Sequence, residues 1–441
     1  MQKLFSDFKP TTAAEWKVQL LKDLKGDTYE NLVWQNDNGF DIQPFYTAED
    51  LKQSYEPVFT HAAWEICVFP KLKDSKKVNE QLLLQLNAGA TAISLNLNGL
   101  DLEVALKDIQ LNYIQSTFFV NSNALESLKL YLENHYDVSA LQCSLFPEDL
   151  KTSSDMEAWF NGSREFYNYE GIKTLSVNAL SYHNQNCLAY YEIAIVLSQL
   201  TEYIEFFIAK KESLPACKFV VKTGVSSDYF IQMAKLRAIR RLWTLLKKEY
   251  ELKNDLYLIV ETTLTNKSIS DSYNNLLRTT VESMAAISGG CDELLVTDFD
   301  VLFPANKSLA ERMSVNQQLV LREESYFDKM ADTACGSFYI ESITDALAEK
   351  ALATFKRFEK EGGYFKCLEK NIFSQEIKVQ AMQKEELVRG QKQISIGVNK
   401  FKNEKEKIEI SASDLKALKK LDLNNPVLKF ELENFFDKTN A

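Results

Sequence analysis

Eight short β-prone segments recur between residues 65 and 297, and stretches with helical periodicity separate them. They lie at 65–69, 90–97, 117–120, 140–145, 173–178, 218–222, 255–262 and 293–297. Alternating strands and helices predict an α/β fold with a parallel sheet and crossover connections. Eight such units, whose strands read as nearly continuous apolar runs, favour a closed (β/α)8 TIM barrel over an open doubly wound sheet.

The chain has 441 residues, more than the roughly 250 that one barrel requires. We therefore expect an N-terminal arm at 1–58, the barrel at 59–330 and a helical extension at 331–441. The arm contains one predicted helix, at 13–24, followed by an irregular stretch. The extension contains two predicted helices, at 344–360 and 372–387.

The composition excludes several classes of protein. A net charge of −11 offers no basic surface for phosphate groups, so we expect no nucleic acid partner. No apolar run approaches the roughly 18 residues of a membrane helix, and the first residues lack the apolar segment of a signal peptide. We therefore expect a cytoplasmic protein without membrane contact. Seven scattered cysteines without a C-x-x-C pair indicate buried, reduced thiols rather than disulfides or a metal site.

Four motifs between residues 273 and 341 are specific enough to indicate a family. They read YNNLLR at 273–278, SGG at 288–290, TDFD at 297–300 and DTACGSFYIE at 332–341. They resemble the late barrel of the acyl-CoA mutases that use adenosylcobalamin, above all the methylmalonyl-CoA mutase family. In that family the corresponding motifs are roughly Y-N-N-x-x-R, G-G, T-x-x-F-D and D-P-x-G-G-S-Y-x-x-E. Thr333 and Cys335 depart from the last pattern; if the glycine that Cys335 replaces needs a positive φ, this loop has relaxed.

The resemblance also bears on the cofactor. In that family a separate flavodoxin-like domain binds the corrin through D-x-H-x-x-G, whose histidine ligates cobalt. The histidines of this chain, His61, His135 and His183, stand in no such motif. The resemblance therefore implies that this chain alone binds no cofactor and no metal, and that adenosylcobalamin belongs to a catalytic partner. The arm and the extension resemble the family's opening arm, which wraps a partner subunit, and its helical connector.

The positions that resemble the family's reaction centre carry few polar side chains. Near the first strand, Phe59 replaces a tyrosine and Ala62 replaces an arginine. At the fourth strand, Phe146 and Met156 replace the glutamine and the arginine that hold the substrate. Without a guanidinium, a substrate carboxylate has no bidentate partner. The resemblance therefore implies no catalytic residue in this chain.

Tyr182 and His183 are the two site residues that the resemblance retains. They match the start of the family's Y-H-x-Q-E-A-G-A, whose histidine hydrogen-bonds the thioester carbonyl, but residues 184–189 have lost the rest of the motif. One interpretation is that His183 is a retained donor to the thioester carbonyl. We favour the other, in which both residues are remnants and His183 is bonded to nearby loop groups. The basic helix at 234–243 resembles the family's A-K-x-R-A-x-R-x-L-W, part of which lies near CoA; solvated or ion-paired basic side chains are the alternative interpretation.

Three functions remain open at this point. The resemblance implies a non-catalytic small subunit that stabilises a large catalytic subunit, with the heterodimer interconverting methylmalonyl-CoA and succinyl-CoA. Alternatively, the chain is an active acyl-CoA mutase barrel that works with a separately encoded cobalamin-binding chain. Without the resemblance, Glu148 and Glu261, near the ends of the fourth and seventh strands, could form the carboxylate pair of a TIM-barrel glycoside hydrolase.

Overall fold

A computed structural model describes residues 7–52, 55–148, 150–302, 307–403, 418 and 424–439. The strands are β1 (Trp34–Asn36), β2 (Phe40–Ile42), β3 (Glu65–Val68), β4 (Ala92–Asn96), β5 (Gln115–Val120), β6 (Gln142–Pro147), β7 (Ile172–Lys173), β8 (Ser176–Asn178), β9 (Phe219–Val225), β10 (Leu256–Thr262) and β11 (Glu293–Leu295).

The helices of the barrel region are α1 (Ala13–Asp23) in the arm, then α2 (Ser75–Asn87), α3 (Leu102–Ala105), α4 (Ser122–His135), α5 (Ser153–Gly162), α6 (Leu180–His183), α7 (Ala189–Lys210), α8 (Tyr229–Glu249), α9 (Tyr273–Ser288) and α10 (Lys307–Leu319). Those of the extension are α11 (Phe338–Glu361), α12 (Gly363–Glu369), α13 (Ile372–Arg389) and α14 (Pro426–Thr439). No helix in the described ranges is long and apolar enough to cross a membrane.

Strands β3 to β11 form one parallel sheet that curls into a barrel. Its order is β7-β6-β5-β4-β3-β11-β10-β9-β8, so the first barrel strand, β3, pairs with the last, β11. All eight predicted barrel strands are present in the described part of the chain, which confirms the predicted (β/α)8 class. The predicted fifth strand is divided into β7 and β8.

The division of the fifth strand leaves a seam in the barrel. β7 pairs with β6, whereas β8 pairs with β9. In the gap, the carbonyl of Thr174 accepts a hydrogen bond from the indole of Trp159 at 3.0 Å instead of from a neighbouring strand. Across the seam, the hydroxyl of Ser176 donates to the carbonyl of Leu145 at 2.6 Å. Side-chain hydrogen bonds therefore close the seam, whereas the other neighbouring strands of the barrel are joined by backbone hydrogen bonds.

Successive strand residues face opposite sides of the barrel wall, which separates two cores. The outer core lies between strands and helices and includes Ile66, Leu145 and Val221. Inside the barrel, Phe69, Phe119 and Phe146 form what we call the aromatic layer. The Phe119 ring centre lies 5.2 Å from that of Phe146 and 6.0 Å from that of Phe69. All three stand near the carboxyl ends of their strands, so this layer lies at the barrel mouth.

A buried ion pair adjoins the aromatic layer. Nζ of Lys222 lies 3.0 Å from Oε2 of Glu261, and both side chains are almost completely buried. The same ammonium lies 5.0 Å from the ring centre of Phe119, within the range of a cation–π contact. Each charge is therefore compensated inside the barrel, as burial requires.

Glu293, inside the barrel, should make stability depend on pH. Burial raises its pKa to about 7, although Cys67 and Lys222 act in the opposite direction. The folded chain therefore holds this proton more tightly than the unfolded chain, whose carboxyl titrates near 4.5. The free energy of unfolding should fall as pH rises between these two values, by an amount on the order of 3 kcal/mol.

The substitution Glu293→Gln removes this titration, so the variant should gain stability relative to the natural chain as pH rises. Urea unfolding at about pH 5 and about pH 8 measures the difference. A constant difference between the two chains at both values would contradict the buried, protonated carboxyl.

The arm contacts the rest of the chain through its later residues. Within the described ranges, no residue of α1 is buried, and Val18 and Leu21 expose about half of their surface. The ring of Trp16 contacts Phe45, which also belongs to the arm. An amphipathic helix without a buried face lacks the packing that normally stabilises a helix of this length.

Candidate functional site

Tyr182 and His183 lie on the carboxyl face of the barrel, in helix α6 directly after β8. This is the face at which (β/α)8 barrels bind their ligands. The hydroxyl of Tyr182 is 3.0 Å from that of Tyr364 in α12, and Tyr182 lines a cavity of about 320 Å³. His183 is buried. The structure therefore places the two residues side by side on this face, one at a cavity wall and one in the interior.

A group of buried polar side chains, the His183 cluster, consists of His183, Glu192, Thr223 and Lys235. Nδ1 of His183 is 3.0 Å from Oε2 of Glu192 and 3.3 Å from Nζ of Lys235. Lys235 donates to Glu192 at 3.0 Å and to the carbonyl of Gly224 at 2.6 Å. Thr223 donates its hydroxyl to the other oxygen of Glu192. His183 thus meets residues of α7, β9 and α8.

The electrostatics of the His183 cluster keep the imidazole neutral. Burial lowers the pKa of His183 and the ammonium of Lys235 lowers it further, against the effect of Glu192. Burial alone would raise the pKa of Glu192, but Lys235 and His183 bring it to about 2. The resulting carboxylate can only accept hydrogen bonds, which favours the proton on Nδ1 and leaves Nε2 as an acceptor. Nε2 has no hydrogen-bond partner among the residues that the structure describes.

Three segments outside the barrel close over residues 184–190, which follow His183. Asn38 in the β1–β2 turn accepts a backbone N–H of this segment at 3.4 Å. Gln380 of α13 accepts the backbone N–H of Leu188 at 2.8 Å. The backbone carbonyl of Asn424 accepts a hydrogen bond from the side-chain amide of Asn186. The space beside His183 is a cavity of about 40 Å³. That volume holds a few water molecules but no acyl thioester.

Phe59 and Ala62 lie ahead of β3, on the amino side of the barrel. The ring of Phe59 packs against Gly290, which precedes β11. The aromatic residue that follows β3 toward the carboxyl face is instead Phe69, a member of the aromatic layer. The expectation that Phe59 stands at the reaction centre is therefore wrong, because a barrel of this class places its chemistry at the carboxyl ends of the strands.

Phe146 and Met156 lie in different parts of the molecule. Phe146, near the end of β6, belongs to the aromatic layer at the barrel mouth. Met156 is buried in α5 and belongs to the outer core. Neither side chain offers a donor for a carboxylate or a carbonyl.

Glu148 and Glu261, the carboxylates of the hydrolase alternative, have different surroundings. Glu148 follows β6 and lines the cavity of about 320 Å³. Burial raises the pKa of Glu261, but Lys222 and Lys71 lower it below its usual value overall. The carboxylate of Glu261 is held inside the barrel by Lys222, so it is unavailable to a sugar that occupies the cavity beside Glu148.

Lys235, Arg237 and Arg240 of α8 are buried and ion-paired. Nη2 of Arg240 lies 2.7 Å from Asp292. Arg237, which has no exposed surface, is bonded to Asp332 and lies 2.7 Å from Glu341. Of the two interpretations of this helix, the ion-paired one describes the structure, and the partners come from distant segments.

The DTACGS loop, which supplies Asp332, is a structural junction. Asp332 also accepts the backbone N–H of Val58 at 2.8 Å, which joins the loop to the end of the arm. The backbone N–H of Gly336 donates to Glu341 at 2.9 Å. Asp332 and Gly336 have positive φ angles of 40° and 78°, but Cys335 does not. The loop therefore accommodates cysteine at this position without strain.

The three histidines each make contacts within the chain. Nε2 of His61 is 3.3 Å from the carbonyl of Cys291, and the ring of His135 stacks on Tyr131 at 4.4 Å. His183 is enclosed in its cluster. Within the described residues, no three His, Cys, Asp or Glu side chains form a group that could hold a metal ion.

Glu192, Lys222 and Lys235 were not predicted from the sequence as partners of the site and of the barrel interior. A signal was present for two of them. Lys222 interrupts the apolar run of β9 at a position facing the barrel interior, and Glu192 stands in the first turn of the largely buried helix α7. A charged residue in such a setting requires a buried partner.

Comparisons with known proteins point to the family that the sequence motifs resemble. The family model for methylmalonyl-CoA mutase matches residues 151–425. The chain is 28% identical to the methylmalonyl-CoA mutase small subunit of Porphyromonas gingivalis, over 91% of this chain and 71% of that protein. It is 24% identical to the methylmalonyl-CoA mutase of Rhizobium meliloti, covering 90% of this chain and 64% of that protein. The mitochondrial methylmalonyl-CoA mutase of Mus musculus is also 24% identical, covering 92% and 63%.

This chain spans less than two thirds of the length of the last two mutases. The match nevertheless covers more than half of the chain and includes the segment with Tyr182 and His183 and all four of the late-barrel motifs. The chain therefore belongs to the methylmalonyl-CoA mutase family.

Proposed function

We propose that this chain is a non-catalytic small subunit of a cytoplasmic, adenosylcobalamin-dependent methylmalonyl-CoA mutase. Its partner is the large catalytic subunit, which binds the cofactor and interconverts methylmalonyl-CoA and succinyl-CoA. The name of the Porphyromonas gingivalis relative, a small subunit, supports this assignment. The seven unpaired cysteines fit a reducing cytoplasm.

The packing at the barrel mouth is the observation that carries the proposal. At the carboxyl mouth, the aromatic layer and the pair of Lys222 with Glu261 occupy the axis. A substrate site in this fold needs polar groups that converge on an open space at these strand ends. Here Phe119 contacts Phe69 and Phe146, and Lys222 pairs with Glu261, so these inward side chains serve packing and internal charge compensation. Cavities of about 240 and 320 Å³ lie beside Phe69 and Phe146.

The state of His183 supports the same conclusion. Its Nε2 is an acceptor, whereas polarising a thioester carbonyl requires a donor. The adjoining cavity of about 40 Å³ is too small for the acyl group, and the arm and the extension cover the segment that follows His183. A neutral, enclosed imidazole of this kind stabilises the fold and does not contact a substrate.

Helix α1 supports the existence of a protein partner. Its apolar side chains, among them Val18 and Leu21, remain outside the core of this chain. Exposed apolar side chains on one face of a helix are typical of a surface that packs against another subunit. We therefore assign this face to the interface with the catalytic subunit.

Replacing Val18 and Leu21 together by serine should weaken the 1:1 complex with the catalytic subunit. Loss of two buried apolar side chains corresponds to about 2 to 4 kcal/mol, or roughly a 30-fold or greater increase in Kd. Size-exclusion chromatography of the co-expressed chains, followed by titration calorimetry, measures the change. The matched control is Gln19→Ser with Asp23→Ser, which changes two exposed side chains on the opposite side of the same helix and should leave Kd almost unaltered.

Two results would contradict the proposal. One is an equal loss of affinity in both double variants, which would remove the apolar face from the interface. The other is isomerisation by this chain when only a cobalamin-binding chain is added, which would establish the active-barrel alternative.

A further inference from the structure

Helix α14 lies against the carboxyl face of the barrel, over the loop that joins β10 to α9. The side-chain amide of Asn425, just ahead of α14, donates to the carbonyls of Leu264 and Lys267 at 2.9 and 2.8 Å. The carboxylate of Glu431 accepts the backbone N–H groups of Ile269 and Ser270, both at 2.9 Å. Two side chains of the extension therefore hold four backbone groups of one barrel loop.

The apolar contacts of α14 are few and separate from the main core. Leu428 and Leu432 pack with Ile269, Val301 and Leu302 in a small cluster that is distinct from the outer core. The remaining polar contacts of α14 with α13 are at the surface and include Lys429 with Glu385 at 3.3 Å. Surface ion pairs contribute little to stability. The attachment of α14 thus depends mainly on Asn425, Glu431 and a few leucine contacts.

The loop beneath α14 has anchors of its own. Asn275 of α9 accepts the N–H of Ser268 at 3.0 Å and donates to its carbonyl at 2.8 Å. Nζ of Lys267 lies 2.8 Å from Glu282, and both side chains are buried. These bonds lie within the barrel and do not involve the extension. The loop can therefore keep its fold when α14 moves away.

We propose that α14 is a lid on the carboxyl face of the barrel, which opens while the barrel remains folded. When closed, it covers Ile269 and Leu302, and Asn424 at its base accepts a hydrogen bond from Asn186, a wall residue of the cavity beside His183. The lid is thus a second barrier at this face, in addition to the aromatic layer at the barrel mouth. Opening it uncovers an apolar patch and one wall of the cavity.

Residue-resolved hydrogen exchange of the full chain tests the lid. In the variant Asn425→Ala with Leu428→Ala, which keeps Glu431 as the acceptor of both amides, Ile269 and Ser270 should exchange at least tenfold faster. The amide of Ser268, which donates to Asn275, and the amides of β10 should keep their rates. The control is Glu433→Ala, since Glu433 is exposed on the same helix and pairs with Arg389; it should leave Ile269 and Ser270 unchanged.

The pattern of exchange decides the outcome. Unchanged rates at Ile269 and Ser270 in the double variant would show that these contacts do not hold the loop. Faster exchange in β10 together with the loop would show that α14 is part of one cooperative core and not a lid. Either result overturns the inference, and neither depends on the catalytic subunit, so the lid and the proposed function fail independently.

Discussion

The substitution Lys222→Met should destabilise the chain by about 3 to 5 kcal/mol at neutral pH, because it leaves the buried carboxylate of Glu261 with only the longer contact to the exposed Lys71 at 3.8 Å. Glu261 is 3% exposed, so water cannot replace the ammonium. Methionine is unbranched and of similar length, which keeps the loss of packing small. Urea unfolding followed by circular dichroism measures the change in the free energy of unfolding.

The pH dependence of this variant distinguishes a lost charge from lost packing. In the natural chain the net pKa of Glu261 is lowered, so its contribution to stability is present above about pH 4.5 and is lost as pH falls through the folded pKa. In Lys222→Met, burial should dominate and raise that pKa, so the variant should become more stable as pH falls toward 4.5.

The double variant Lys222→Met with Glu261→Leu should recover most of the loss, since buried ion pairs exchanged for apolar pairs are often nearly neutral. If the double variant is as unstable as Lys222→Met, the effect comes from packing, and the ion pair is not the cause.

The substitution Arg237→Met should lower the free energy of unfolding by a similar amount, about 3 to 5 kcal/mol. It should also detach the end of the arm from the DTACGS loop. Arg237 is completely buried and compensates both Asp332 and Glu341. Asp332 in turn accepts the N–H of Val58. Unfolding in urea measures the stability, and limited proteolysis near Val58 measures the release.

Arg237→Lys is the control for geometry. A lysine keeps the positive charge but cannot reproduce the planar fork that contacts two carboxylates. Its stability should fall between those of the natural chain and of Arg237→Met. Equal stability of all three chains would exclude Arg237 as the centre of this junction.

The barrel could be predicted from the sequence because local pattern and tertiary structure agree. The segments that form β9 and β10 are largely apolar, and each is followed by a stretch with helical periodicity. Both strands lie within a few residues of their predicted positions. The interruption between β7 and β8 could not be read from such a pattern. It depends on the indole of Trp159, which reaches the backbone from another segment.

The site was predictable to a lesser extent. The motif located Tyr182 and His183 after the fifth strand, and the fold places that point on the carboxyl face. The partners of His183 come from three separate elements, and a sequence without a fold does not bring Glu192 next to Lys235. Phe59 was misplaced because alignment to a motif gives the position along the chain but not the side of the barrel.

The interrupted fifth strand has a mechanical consequence. A complete cylinder of strands resists opening equally around its circumference, because every strand has backbone neighbours on both sides. In this chain β7 and β8 each pair with one neighbour, so the wall behaves as a curled ribbon whose two borders meet at the hydroxyl of Ser176. Thermal breathing of the wall should therefore begin along this line, far from the junction of β3 with β11.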